Sequence, residues 1–188
     1  MSKTQDRAKR LPYARESLMY PDVLTWLRQF LEERYPRGKV YVADTSQQPL
    51  YRFLRQQVDT SLIATSLLPA DWQSWDIRVN IAGLVIHRRS LKLAIVECKI
   101  RPITLTHMSQ LLGYSRVVQP DYAFLLSPTG ATSPLQKLLR TYNRQDILNY
   151  RATPGSQPRS LIIARWDAAS KTPDRSAIIT GDDNITRI

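Results

Sequence analysis

Leu91-Lys92-Leu93-Ala94-Ile95-Val96-Glu97-Cys98-Lys99 is the stretch whose reading decides the fold. It is nearly continuous in apolar character up to Val96, as expected for a central strand covered on both faces. It then changes abruptly to Glu-Cys-Lys. Upstream, Ile77 to His87 forms a second apolar run, and the polar cluster His87-Arg88-Arg89-Ser90 between the two suits a hairpin turn. Downstream, Pro102 breaks the chain and Thr104 or Thr106 can cap a helix that turns Leu105, Met108, Leu111 and Leu112 toward a core. Tyr122 to Leu126 follows as a short apolar strand, closed by Ser127-Pro128-Thr129-Gly130. A hairpin therefore leads into a βαβ-like unit.

Further out, Val23, Leu24, Trp26, Leu27, Phe30 and Leu31 recur at helical spacing between Asp22 and Arg34. Tyr35-Pro36-Arg37-Gly38 stops that helix, and Lys39 to Ala43 reads as a strand. Pro49 can open a short helix through Leu50, Phe53 and Leu54 that exposes Arg52 and Arg55. Thr60 to Trp75 shows no regular period. Pro134 to Tyr142 reads as a helix and Leu161 to Trp166 as a last strand. The polar ends predict a mobile basic arm over 1–14 and a polar tail over 168–188. Their order predicts one α/β domain over 1–188 with a mixed sheet.

The chain has 27 Lys and Arg against 16 Asp and Glu, a formal net charge of +11 over 188 residues. Such an excess favours a polyanionic partner, nucleic acid first, without bearing on the fold. Cys98 is the single cysteine, so an intramolecular disulfide and a multi-cysteine zinc or iron–sulfur site are excluded. With only His87 and His107, a metal here needs oxygen ligands. No apolar run approaches a membrane span and the opening lacks a signal-peptide core, which predicts a cytoplasmic protein with no membrane partner.

Side chains two apart on a strand share a face, so Glu97 and Lys99 point the same way from the end of a buried strand. Charges in that position are costly unless they serve each other, a metal or a ligand. An acid, Asp76, precedes them in Trp75-Asp76-Ile77, and Gln110 and Tyr114 lie one turn apart on the helix that follows.

Asp76, then Glu97-Cys98-Lys99, then Gln110-Leu111-Leu112-Gly113-Tyr114 together resemble the PD-(D/E)XK nuclease superfamily. The Gln-x-x-x-Tyr helix is of the kind found in its RecB-type branch. The resemblance covers roughly residues 75–126. It implies a restriction-endonuclease-like mixed central β-sheet flanked by helices. It also implies a magnesium- or manganese-dependent deoxyribonuclease, an endonuclease before an exonuclease, serving restriction, repair or recombination. In that reading Asp76, Glu97 and the Cys98 carbonyl hold the metal, and Lys99 orients or helps deprotonate the attacking water. Gln110 and Tyr114 contact the DNA backbone or the water network, and Arg78 and Arg101 contact DNA. The first helix lends a carboxylate, for which Glu16 is the candidate if a helix runs back through Pro21 and sets it on the stripe of Tyr20, Val23 and Leu27. A homodimer able to cut two strands is implied by the resemblance alone.

Hairpin arithmetic bears on the first acid. With the turn centred on Arg88-Arg89, Asn80 lies opposite Glu97, and Asp76 opposite Arg101, about 13 Å further along. Asn80-Ile81-Ala82-Gly83 also looks like the Asp-Ile-x-Gly of the family. Either a bulge returns Asp76 to the site, which its carboxylate favours, or Asn80 offers a neutral amide oxygen instead. In the latter case the alternative function is a non-catalytic nucleic-acid-binding module.

Overall fold

The structure is a computed structural model that describes residues 11–58, 68–87, 90–151 and 159–181. A short 3-10 turn, Glu16–Leu18, leads into helix α1 (Tyr20–Arg34), with Pro21 in the first turn where a missing N–H costs nothing. Strand β1 (Lys39–Asp44) and helix α2 (Leu50–Gln57) follow, then β2 (Ile81–His87) and β3 (Ser90–Cys98). Helix α3 (Leu105–Val118) carries the chain to β4 (Tyr122–Ser127). Helix α4 (Ser133–Gln136) widens into a π-helical turn, Lys137–Thr141, where a longer α-helix was expected. Strands β5 (Asn149–Arg151), β6 (Arg159–Ser160), β7 (Ile162–Asp167) and β8 (Thr172–Pro173) complete the chain.

Six strands form a mixed sheet in the order β1-β2-β3-β4-β7-β8, and β5 pairs with β6 separately. The first three are antiparallel, β3-β4 and β4-β7 are parallel, and β7-β8 is antiparallel. This is the mixed α/β arrangement expected, a hairpin followed by a parallel crossover through α3. The pairs Ile81↔Val96 through His87↔Ser90 keep the predicted hairpin register without a bulge. The turn itself, Arg88-Arg89, lies outside the described residues, as do residues 1–10 of the expected arm.

Alternation along β3 divides the core. Leu93 and Ile95 pack with α2 and α3, while Ala94, Val96 and Cys98 pack under α1. Every residue of β4 is buried, as a central parallel strand requires. On the α1 side, Trp26 meets Phe124 edge-on at 5.1 Å and Trp166 at 5.9 Å. The helix also presses on the sheet at Gly83, where a Cβ would stand 2.7 Å from Leu31 Cδ1 and 3.2 Å from Leu27 Cδ2.

Of the expected arm and tail, the described residues are 11–14 and 168–181, and each stretch holds a buried side chain. Tyr13, inside the supposed mobile arm, is buried: its hydroxyl donates to Asp22 Oδ2 (2.8 Å) and accepts from Trp166 Nε1 (3.1 Å). Within the supposed polar tail, Ile179 is buried and exchanges backbone hydrogen bonds with Ile163 at 2.8 and 2.9 Å. The short apolar run Ala177-Ile178-Ile179 fastens that segment to the sheet, which the overall polar composition of the tail does not reveal.

Candidate functional site at the end of the third strand

β3 loses its β2 partner after Val96, and the chain past Cys98 is then held by β4 and the loop beyond it. Lys99 N–H donates to the Leu126 carbonyl (2.8 Å) and Ser127 Oγ to the Arg101 carbonyl (2.9 Å). Ile103 N–H donates to the carbonyl of Gly130 (2.8 Å), whose φ of +70° is a turn conformation suited to glycine. The loop between strand and helix is thus fixed at several points.

On this frame Glu97 and Lys99 share a face, as predicted, while the Cys98 thiol is fully buried on the other. Lys99 Nζ donates to Glu97 Oε1 at 2.8 Å and lies 3.7 Å from Glu16 Oε2. The structure therefore brings Glu16 to the site. It arrives on the 3-10 turn before α1, not on an extension of the helix through Pro21. Glu97 is only 7% exposed. Burial pushes its carboxyl above the ordinary carboxylate value, an effect that Lys99 offsets in part and Glu16 reinforces. For Lys99, burial works against the charge, but Glu97 and then Glu16 outweigh it and hold the ammonium above its usual value.

Asn80 is placed where the hairpin count puts it. Its Oδ1 accepts the Cys98 N–H at 2.7 Å. Thr45, fully buried, braces the same turn: its Oγ1 donates to the Val79 carbonyl (2.8 Å) and its N–H to the Asn80 carbonyl (2.9 Å).

Asp76, the preferred first ligand, lies in the segment before β2, outside the paired hairpin. Strand pairing starts at Ile81, not Ile77, because the preceding residues bond to other partners. The Ile77 carbonyl accepts from Leu50 N–H at the start of α2. No bulge returns Asp76. It lines a separate cleft with Arg52 and Arg78. Arg78 is exposed in that cleft, and Arg101 is exposed in the loop that follows Lys99. Gln110 and Tyr114 pair with each other on the outer side of α3, with Gln110 Nε2 donating to the Tyr114 hydroxyl (3.1 Å).

Two residues near the site were missed in the sequence. His107 closes a capping box with Thr104: its Nδ1 accepts the Thr104 N–H (3.2 Å), and Thr104 Oγ1 accepts the His107 N–H (3.4 Å). Burial and the Lys99 charge lower its pKa, so the ring is neutral and Nε2 carries the proton. The Thr-x-x-His spacing from Thr104 to His107 was the available signal, and only the threonine was read, as a cap. Tyr20 is buried, and burial together with Cys98, Glu16 and Glu97 raises its pKa.

Among the described residues no three His, Cys, Asp or Glu side chains converge as a metal-ligand set. Two carboxylates, Glu97 and Glu16, do converge, and both engage Lys99. Their hard oxygens suit magnesium or manganese, since such an ion takes one or two carboxylates and completes its shell with water. Asn80 Oδ1, which accepts the Cys98 N–H with one lone pair, is a further oxygen donor at hand. No protein-family model, curated protein or solved structure matches the chain. Among the described residues no helix is long and apolar enough to cross a membrane.

Proposed function

We propose that the chain is a metal-dependent DNA nuclease that hydrolyses phosphodiester bonds, with the restriction-endonuclease-like arrangement of the PD-(D/E)XK proteins. The observation that carries this reading is the Glu97–Lys99 pair at the end of a central strand, joined by Glu16 from the segment leading into α1. The order of a helix, a strand, a second helix, an antiparallel hairpin, a third helix and a parallel strand, with the first three strands antiparallel in the sheet, supports it. So does the +11 charge, which favours a polyanionic substrate.

A bound magnesium or manganese ion supplies charge neutralisation at the phosphate and a more acidic water. Glu97 and Glu16 would hold it, with the Cys98 carbonyl. Lys99, kept protonated by its two carboxylates, is suited to donating hydrogen bonds to a phosphate oxygen or the attacking water. That same protonation disfavours a role as the base. His107 presents an Nε2–H on the neighbouring helix, a neutral donor for a developing oxyanion.

The test is cleavage of linear, circular, branched and single-stranded DNA in magnesium or manganese. Wild type is expected to cleave and Glu97→Gln to lose about a hundredfold or more in rate with its fold intact. Equal rates in the two would overturn the nuclease assignment. Gel filtration with light scattering on the same preparations reads whether the active unit is a homodimer.

Asn80 supports a second reading. Where the family pattern has an acid, this chain has an amide already engaged with a backbone N–H. A non-catalytic DNA-binding module would show salt-sensitive binding and no cleavage under any of these conditions.

A further inference from the structure

We propose that the cleft between the start of α2 and the segment before β2 receives one nucleotide of an unpaired nucleic-acid strand, with the base at Tyr51 and phosphates at Arg52 and Arg78. This rests on the nuclease or nucleic-acid reading above and names the form of substrate for that site.

The cleft has a volume of about 510 Å³ and is lined by Gln47, Tyr51, Arg52, Gln73, Asp76 and Arg78, among others. Its charge is unbalanced: two guanidiniums face one carboxylate. Among the described residues no ion pair joins Arg52, Arg78 or Asp76 to any partner. An exposed arginine without a carboxylate partner is ready to take a phosphate in a forked geometry. Arg52 is already oriented, since its Nε donates to the Tyr51 hydroxyl at 3.3 Å.

The rest of the lining matches a base better than it matches a simple anion. Tyr51 is a half-buried ring, with the Arg55 guanidinium 5.8 Å from its centroid. Gln47 and Gln73 each offer an amide donor and acceptor, and Asp76 can accept from an exocyclic amine. Aromatic rings interleaved with cations are how proteins hold single strands, because every base has a stacking face. A concave cleft of this size holds a nucleotide but not a duplex, whose base edges and faces are already engaged.

Its place in the chain links it to the proposed reaction. Arg78 is two residues from Asn80, whose side chain is tied to Cys98 next to Glu97. The Thr45 contacts to Val79 and Asn80 tie the loop carrying Gln47 to the same turn. A strand seated on Arg78 therefore lies on the segment that leads into the turn bearing Asn80.

The experiment is fluorescence anisotropy in a chelating buffer, with a labelled single-stranded deoxyoligonucleotide and a duplex hairpin of the same sequence. Wild type is expected to bind the single strand more tightly. The double variant Arg52→Ala/Arg78→Ala should lose about tenfold or more, with a log–log salt slope shallower by about 1.4, because each single-strand phosphate contributes about −0.7. Tyr51→Leu should lose about tenfold by removing the stacking surface. Arg52→Lys/Arg78→Lys, which keeps the charges, should retain the salt slope. All these positions are partly or fully exposed, and circular dichroism checks that the variants fold. Unchanged single-strand affinity in either the double alanine variant or Tyr51→Leu overturns the proposal, as does tighter wild-type binding to duplex. Cleavage by wild type and Glu97→Gln is read separately, so the cleft and the nuclease assignment can fail independently.

Discussion

Asn80 Oδ1 accepts the backbone N–H of Cys98 at 2.7 Å, across the point where the β2–β3 ladder ends. The last paired residues are Ile81 and Val96, so without this side chain the Cys98 N–H would lose its partner at the edge of the core. The amide is therefore a structural cap on the strand and, by the same bond, a fixed neighbour of Glu97. An aspartate could make the same bond and add a charge.

Asn80→Asp is accordingly expected to raise the apparent magnesium affinity by about tenfold, read as a shift in the metal dependence of cleavage. In chelator it should lower the Tm, because a third carboxylate then joins Glu97 and Glu16 with Lys99 already shared between them, and added magnesium should restore it. Asp76→Asn should leave the metal dependence of cleavage unchanged, since Asp76 lines another cleft. A large loss from Asp76→Asn with none gained from Asn80→Asp would return Asp76 to the site.

Lys99→Met leaves Glu97 nearly buried without its cation, a change that costs about 3 kcal/mol at neutral pH. The missing charge raises the Glu97 pKa further, so the folded state of the variant binds more protons than the unfolded one. Its stability must then fall as pH rises above the ordinary carboxylate value of 4.5, and recover toward acid. Urea unfolding at pH 5 and pH 7 checks this. An equal deficit at both would mean that the loss is packing alone.

Asp22 gives the opposite sign. Burial disfavours its charge, but Lys171 at 2.9 Å and the Tyr13 hydroxyl outweigh that and lower its pKa. Its contribution is complete above the ordinary value of 3.8 and is lost as pH falls through the lower folded value. Asp22→Asn should cost about 1 kcal/mol at pH 7 and progressively less in acid. Thermal melts of both proteins from pH 2 to pH 7 should show the two curves converging at the acid end.

Thr45→Val removes a buried hydroxyl without changing side-chain shape and leaves the Val79 carbonyl short of a donor. The expected loss is about 1–3 kcal/mol. Because Thr45 also positions the turn bearing Asn80, the variant should lose cleavage rate while Thr45→Ser, which keeps the hydroxyl, restores most of it. A destabilised variant of full specific activity would limit Thr45 to folding.

The hairpin was legible because its two strands carry unbroken apolar runs on either side of a four-residue polar cluster, which fixes both register and facing residues. That is why Asn80 opposite Glu97 followed from counting. The start of β2 was not legible: Ile77 and Val79 suit a strand by composition, yet the Ile77 and Val79 carbonyls bond to Leu50 and Thr45 instead. Such partners are distant in sequence and leave no periodic trace. Glu16 was found as a candidate through the wrong geometry, a helix crossing Pro21, whereas a 3-10 turn delivers it. His107 was passed over because a cap and a site residue look alike in sequence.

Gly83 has a consequence for chemistry it never touches. Glu97 and Lys99 belong to the sheet, while Glu16 belongs to the lead-in of α1. The gap between helix and sheet is set where Leu31 and Leu27 close over Gly83, with Leu31 almost wholly buried. A single methyl there must be absorbed by a tightly packed leucine or by a rise of the helix, and dense interiors yield little room for the first. The clearance over one glycine thus works as a spacer gauge for the carboxylates at Lys99. Tolerance to substitution at position 83 is a measure of how closely the ion-pair geometry must be machined.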